Sequence, residues 1–210
     1  MSGPTRVKIC GLRDPRHAAA AVAAGAWAVG VVLADGPRRV DVPTAARVLE
    51  DVGDGAARVG VFVDPTLDAL RAAVEGCGLT HVQLHGSALS AADVRAALGC
   101  AVVRGVRFRG AADVGTDADI TLYDAAVPGM HGGTGVRLDW DALAAAAPPR
   151  PFGVAGGLDP GNVGAAIAAL RPDLVDVSSG VESAPGVKDA DRIARFCAAV
   201  RAADDALTGA

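Results

Sequence analysis

Short apolar runs alternate along this chain with longer stretches in which apolar and polar residues mix at helical spacing. The runs are RVKIC, AVGVVL, RVGVFV, HVQLH, AVVRGV, DITLYD, PFGVAG and LVDVSSG. They are apolar almost throughout and do not alternate, which is the pattern of strands buried on both faces of a parallel sheet. The intervening stretches carry helix start and stop signals. DPRHAAAAVAAG closes on glycine, SAADVRAALG opens on serine and closes on glycine, and DPGNVGAAIAALRP has proline near its start and just past its end. PTAARVLEDVG and PTLDALRAAVEGCG share the helical composition, and RGAADVGTDA is the weakest helical stretch. A polar side chain at the front of a helix accepts from its orphan N–H groups, and a glycine behind it takes the left-handed turn that ends it.

Eight strand–helix units of about 25 residues each fit the small end of the (βα)8 barrel range. The pattern therefore predicts an α/β fold, a single-domain (βα)8 TIM barrel over residues 1–210, with a short frayed tail at ALTGA. A doubly wound open sheet is the alternative. Neither G-x-G-x-x-G nor G-x-x-x-x-G-K-[ST], the phosphate-binding fingerprints of such sheets, occurs in the chain.

Composition narrows the function classes. Apolar residues make up 51% of the 210 and aromatics only 3%, so Val, Leu, Ile and Ala must fill the core. A net charge of -4 with scattered arginines leaves no electrostatic footprint for nucleic acid. The four cysteines form no C-x-x-C pair and no Cys/His zinc spacing, so neither a metal nor a disulfide framework is expected. The uncharged stretch AAAAVAAGAWAVGVVLA is mostly alanine, is divided by Gly25 and falls short of the roughly 20 apolar residues of a membrane span. The first residues show no basic start followed by an apolar run and a cleavage site, so a secretory signal is not expected. The expectation is a cytoplasmic protein with no membrane or nucleic-acid partner. No strong exposed apolar stripe is evident, and the reading favours a monomer.

In a (βα)8 barrel the chemistry lies at the C-terminal ends of the strands. Those ends carry Cys10, the loop DGPRRV, Asp64, His85, RFRG, Asp124, the turn AGG and the turn SSG. Three late loops combine glycines with small hydroxyl residues: GGTG (with Gly133 and Gly135), AGG (Gly156, Gly157) and SSG (Ser179, Gly180). Glycine lets backbone N–H groups close on an anion, and barrels of this kind often hold phosphate after their seventh and eighth strands. Lys188 is the first lysine after these loops begin, so a phosphate there would be held by neutral donors, as a handle rather than a transferred group. Asp124 ends an apolar strand, where desolvation raises a carboxyl pKa towards that of a neutral-pH acid. A cysteine at the end of the first strand is either a small core residue or, with a modest pKa shift, a thiolate base or nucleophile. Arg38 and Arg39 could pair with a carboxylate at the barrel mouth or form a solvated surface pair. His85 could line the site or bond locally.

The stretches VKICGL, GPRRV, RVGVFV, VQLHG, YDAAVPGMHGGTGVRLDW, AGGLDPGNV and VDVSSGVESAPGVKD run across nearly the whole chain. Together they resemble the phosphoribosylanthranilate isomerases of tryptophan biosynthesis. The resemblance implies a (βα)8 barrel that performs an Amadori rearrangement on N-(5-phosphoribosyl)anthranilate, an aldose–ketose isomerisation that needs no external cofactor. It places the general base on Cys10 and the general acid on Asp124. It aligns Arg39 with the arginine that binds the anthranilate carboxylate, and Asp176 with a position near the substrate. The phosphate loops map to Gly133, Gly135, Gly156, Gly157, Ser179 and Gly180. Where family members often carry Ser-x-Arg after the second strand, this chain has GPRRV, preceded by the small Ala34 and Asp35. Two rival readings remain at this point. One is the related barrel isomerase of the histidine pathway, which uses an aspartate where Cys10 stands. The other is a non-catalytic phosphosugar-binding barrel.

Overall fold

In the computed structural model, residues 3–125 and 138–209 are described. Eight parallel strands close into a barrel in chain order: β1 (Arg6–Cys10), β2 (Ala28–Val32), β3 (Ala57–Val63), β4 (His81–His85), β5 (Ala101–Phe108), β6 (Ile120–Ala125), β7 (Phe152–Val154) and β8 (Leu174–Val177). The expected open-sheet alternative is thereby excluded. Outside the strands lie α1 (Pro15–Ala23), α2 (Val42–Leu49), α3 (Leu67–Cys77), α4 (Ala91–Leu98), α5 (Trp140–Ala145), α6 (Val163–Leu170) and α7 (Ala190–Thr208). A hairpin of β9 (Glu182–Ala184) and β10 (Val187–Lys188) sits between β8 and α7.

The local signals explain most of these elements. Asp14, Asp41, Thr66 and Ser90 cap α1 to α4, each side chain accepting from a backbone N–H in the first turn. Gly78 and Gly99 end α3 and α4 in the left-handed conformation. The weak stretch RGAADVGTDA forms no α-helix: a single 3-10 turn, Ala111–Asp113, with no buried residue, connects β5 to β6. Gly110 and Gly115 bracket it, and no apolar stripe is available to hold a longer helix against the barrel. The C-terminus also departs from expectation. In place of a frayed tail, α7 continues to Thr208 and closes on a left-handed Gly209. Its stripe of Ile193, Phe196, Cys197 and Val200 is fully packed, which anchors the weaker residues that follow.

The barrel is filled from one end. Trp27, just before β2, packs against two interior clusters, Val103, Ile120, Leu122, Ala155 and Leu174 on one side and Ala28, Ala57 and Val59 on the other. The Arg6 guanidinium lies 4.4 Å over its ring and His81 meets it edge-on at 5.3 Å. This closes the N-terminal end of the barrel. The register then sets the upper layers: Lys8 stands opposite Asp176 where β1 meets β8, Cys10 opposite Gly30, and His85 opposite Gly105. Glycine is required at Gly105, because a Cβ there would lie 2.1 Å from the His85 ring.

Candidate active site

The open end of the barrel holds a cavity of about 130 Å³ whose lining includes Cys10, Arg38, Gln83, His85, Asp124 and Asp176. Cys10 and Asp124 are thus brought to one cavity by β1 and β6, which are separated on the short way round by β7 and β8. Asp124 is the raised carboxyl expected from its place. Burial pushes it up to about 6 against the N–H of Ala125, which donates to Oδ1 at 2.8 Å, and the nearby charge of Asp176 adds to the rise. A group with that pKa is a competent proton donor near neutral pH.

Cys10 behaves differently from a pre-formed thiolate. Burial raises its pKa from the ordinary 9.0, Lys8 opposes the rise and Asp176 adds to it. The resting group is a thiol. Its backbone carbonyl accepts from Ser178 Oγ at 3.1 Å. Cys77, Cys100 and Cys197 are buried away from this cavity.

Arg39 does not reach the site. Its side chain is 60% exposed, pairs with Asp35 at 2.7 Å and borders a separate surface groove. The turn closed by Arg39 N to Gly36 O sends neighbouring side chains apart, and it is Arg38 that lines the cavity. The Arg38 side chain runs past Gly11, where a Cβ would meet its Cδ at 2.6 Å. Its guanidinium forms a two-bond fork on Glu182, Nε to Oε1 at 2.7 Å and Nη2 to Oε2 at 2.8 Å. Lys188 also donates to Glu182 Oε1 at 2.7 Å and to the Ser178 carbonyl at 2.9 Å, and Arg192 donates to the Glu182 carbonyl. Burial alone would raise the Glu182 pKa, but the Arg38 and Lys188 bonds outweigh it and hold the group at about 2.

The expected phosphate loops are placed unevenly. Gly156, Gly157 and Ser179 line the cavity. Gly156 and Gly157 both adopt positive φ, and a Cβ on Gly156 would stand 2.7 Å from Asp124 Oδ1. Gly180 is outside the lining and serves a packing need: a Cβ there would be 1.9 Å from the Leu158 carbonyl oxygen. Gly133 and Gly135 lie outside the described residues. Lys188 is buried and spent on Ser178 and Glu182, so it offers no cation to the rim.

Asp176 lines the cavity and holds Lys8 Nζ at 3.0 Å. His85 lines it too and shares a 2.8 Å hydrogen bond with Gln83 Nε2, while Gln83 Oε1 has no partner in the buried wall. Sequence reasoning offers Arg38 and Arg39 together and aligns Arg39 by resemblance, and it does not name Gln83, Glu182, Lys188 or Lys8 as site residues. For Lys8 a signal existed, since it shares the inward face of β1 with Cys10 at a spacing of two. For Glu182 none did, because the Arg38 fork that turns it to the site comes from 144 residues away in the chain. Among the described residues no His, Cys, Asp or Glu group is arranged to hold a metal, and no helix is long and apolar enough to cross a membrane.

Comparison with known proteins agrees with this geometry. The family model described as N-(5'phosphoribosyl)anthranilate (PRA) isomerase matches residues 7–199. The N-(5'-phosphoribosyl)anthranilate isomerase of Syntrophomonas wolfei subsp. wolfei is 42% identical, over 91% of this chain and 95% of its own. The phosphoribosyl anthranilate isomerase structure from Thermotoga maritima superposes with a TM-score of 0.81 at 30% identity, covering 94% of this chain and 99% of that one. A phosphoribosyl anthranilate isomerase solved with reduced 1-(o-carboxyphenylamino)-1-deoxyribulose 5-phosphate superposes with a TM-score of 0.77 at 29% identity, over the same shares.

Proposed function

This chain belongs to the N-(5'-phosphoribosyl)anthranilate isomerase family, and from that premise we propose how its own residues carry the reaction. The protein is an isomerase of tryptophan biosynthesis. The substrate assigned to it is N-(5-phosphoribosyl)anthranilate, and the product is 1-(2-carboxyphenylamino)-1-deoxyribulose 5-phosphate.

Asp124, neutral when protonated, gives its proton to the ribose ring oxygen. The C1'–O bond breaks and the substrate nitrogen forms an iminium with C1'. Cys10, as thiolate, then takes the proton from C2'. The electron pair of that bond makes the C1'=C2' double bond, and the iminium pair returns to nitrogen. The resulting enolamine tautomerises to the ketose. One proton is delivered and one is removed, so acid and base exchange states within a single turnover. The substrate nitrogen is the electron sink, so the step requires no external cofactor.

Arg38 is the candidate for the anthranilate carboxylate, because its guanidinium is held at the cavity wall with donors beyond those used on Glu182. Asp176 faces the sugar. Gly156, Gly157 and Ser179 form the rim assigned to the phosphate. The observation that carries the reading is the pairing in one cavity of a carboxyl raised to about 6 with a cysteine on another strand. An acid and a base on different strands of one cavity are what an isomerase that delivers one proton and removes another needs.

The test is a substrate comparison on the purified protein. Loss of phosphoribosylanthranilate fluorescence is expected, with little turnover of the histidine-pathway aminoaldose phosphate. Turnover of the histidine-pathway compound alone would overturn the assignment.

A further inference from the structure

Cys10 rests as a thiol, yet the proposed step needs it as a thiolate, so some group must make that ion accessible. Lys8 is placed to do so. It is fully buried, lies two residues before Cys10 on the same inward face of β1, and is absent from the cavity lining. Its Nζ donates to Asp176 Oδ1 at 3.0 Å, across the seam where β1 pairs with β8. Its stem and the cysteine sulfur share the space beside Gly30. A Cβ on Gly30 would stand 3.1 Å from Lys8 Cε and 3.4 Å from Cys10 Sγ. An ammonium is costly to bury without a partner, and one carboxylate already neutralises this one. Its nearness to Cys10 is therefore more than its own burial requires.

We propose that Lys8 is a positioning residue for the reaction, a buried cation that stabilises the Cys10 thiolate from beneath the cavity floor while Asp176 keeps Lys8 charged and in place. This rests on the reading of Cys10 as the base. With the thiol protonated, Lys8, Asp176 and Cys10 together are neutral. With the thiolate they carry one negative charge, which the C2' proton discharges when it moves to sulfur. The ion is thus attainable but reactive. The directions of titration agree: Lys8 is held protonated by Asp176 and Cys10 in spite of burial, and Lys8 pulls the Cys10 pKa down against burial. The other charges facing Cys10 are Asp176 from β8, Lys188 from β10, Arg38 from the loop after β2, and Asp124 across the cavity from β6.

The experiment is the pH dependence of Cys10 alkylation by iodoacetamide, with the modified residue assigned by peptide mass, in the wild-type protein and in Lys8→Met, Lys8→Gln and Lys8→Arg. Lys8→Met should raise the thiol midpoint by about one pH unit or more, and so slow alkylation at pH 8 about tenfold. Lys8→Arg should restore most of that rate. Lys8→Gln, which can keep a hydrogen bond to Asp176 without the charge, should raise the midpoint likewise, which keeps the test open if Lys8→Met does not fold. Unchanged midpoints in folded Lys8→Met or in folded Lys8→Gln would overturn the proposal. Alkylation reports the ionisation of Cys10 whether or not it is the base. An unmoved midpoint with Cys10→Ser inactive removes Lys8 alone, whereas a moved midpoint with Cys10→Ser active removes the role of Cys10 as base.

Discussion

Arg38 and Arg39 are adjacent in sequence and opposite in consequence. One is 13% exposed and forked on a buried glutamate, and the other is 60% exposed and paired with a still more solvated aspartate. Exposed pairs of the second kind contribute roughly 0–1 kcal/mol. Charge-assisted bonds of the first kind contribute about 1.5–3 kcal/mol each when both partners are in place. Arg39→Ala should therefore leave KM and Tm close to wild type. Arg38→Ala should raise KM by roughly 10- to 100-fold, the equivalent of one such bond to the substrate carboxylate. Steady-state kinetics on the two variants checks this, and equal effects would contradict it. The sequence alone presented an arginine pair and no means to choose, since the choice is made by the Gly36–Arg39 turn. Cys10 and Asp124, by contrast, were legible, because each closes an apolar strand and strand ends define the mouth of a barrel.

At the scale of elements, the strands read well because burial on both faces writes itself as a continuous apolar run. The caps of α1 to α4 read well because their signals are local. What did not read was built from long-range partners. The β9–β10 hairpin has two short strands and no apolar run, and is tied down by Glu182, which takes Lys188 from the facing strand and Arg38 from the distant loop after β2. α5 was overlooked because its six residues, Trp140–Ala145, are too few to show a period. The glutamate at the start of the hairpin gives a prediction of pH-dependent stability. Its folded pKa of about 2 lies below the ordinary 4.5, so its contribution is full above 4.5 and is lost as pH falls through about 2. Glu182→Gln leaves buried cations unpaired and should cost about 3–5 kcal/mol at neutral pH. The Tm gap between variant and wild type should be widest near pH 7 and narrow steadily below pH 4.5 in thermal melts. A gap that stays constant down to pH 3 would contradict the assignment.

Across the whole molecule, the closed barrel separates stability from chemistry. Trp27 and the two interior clusters fill the N-terminal end, and the polar groups Lys8, Gln83 and Asp176 lie towards the open end, where Gln83 and Asp176 line the cavity beside Leu122 and Ala155 of one cluster. Strand count and closure were legible from alternation and length. The polar groups were not, since a lysine, a glutamine and an aspartate within apolar strands show their shared interior only once the register is known. This arrangement produces an uncommon balance of charge at the site. Asp124, the proposed acid, has its pKa at about 6, and that of Cys10, the proposed base, is raised above its ordinary 9.0. The productive form, protonated Asp124 with ionised Cys10, is therefore a minority species at every pH. Its fraction rises as pH passes up to about 6, holds level, and falls once pH exceeds the Cys10 value.

The pH dependence of kcat/KM for phosphoribosylanthranilate, in the wild-type protein and in Cys10→Ser and Asp124→Asn, tests this account most directly. The wild type should show a plateau with its acidic edge near 6 and its alkaline edge above 9. Each folded variant should lose about 10²- to 10⁴-fold on that plateau, as expected when a positioned acid or base is removed. Either variant retaining kcat/KM within about threefold of wild type, a small fraction of what a proton-transfer group supplies, would contradict the assignment of Cys10 and Asp124 as the reacting pair.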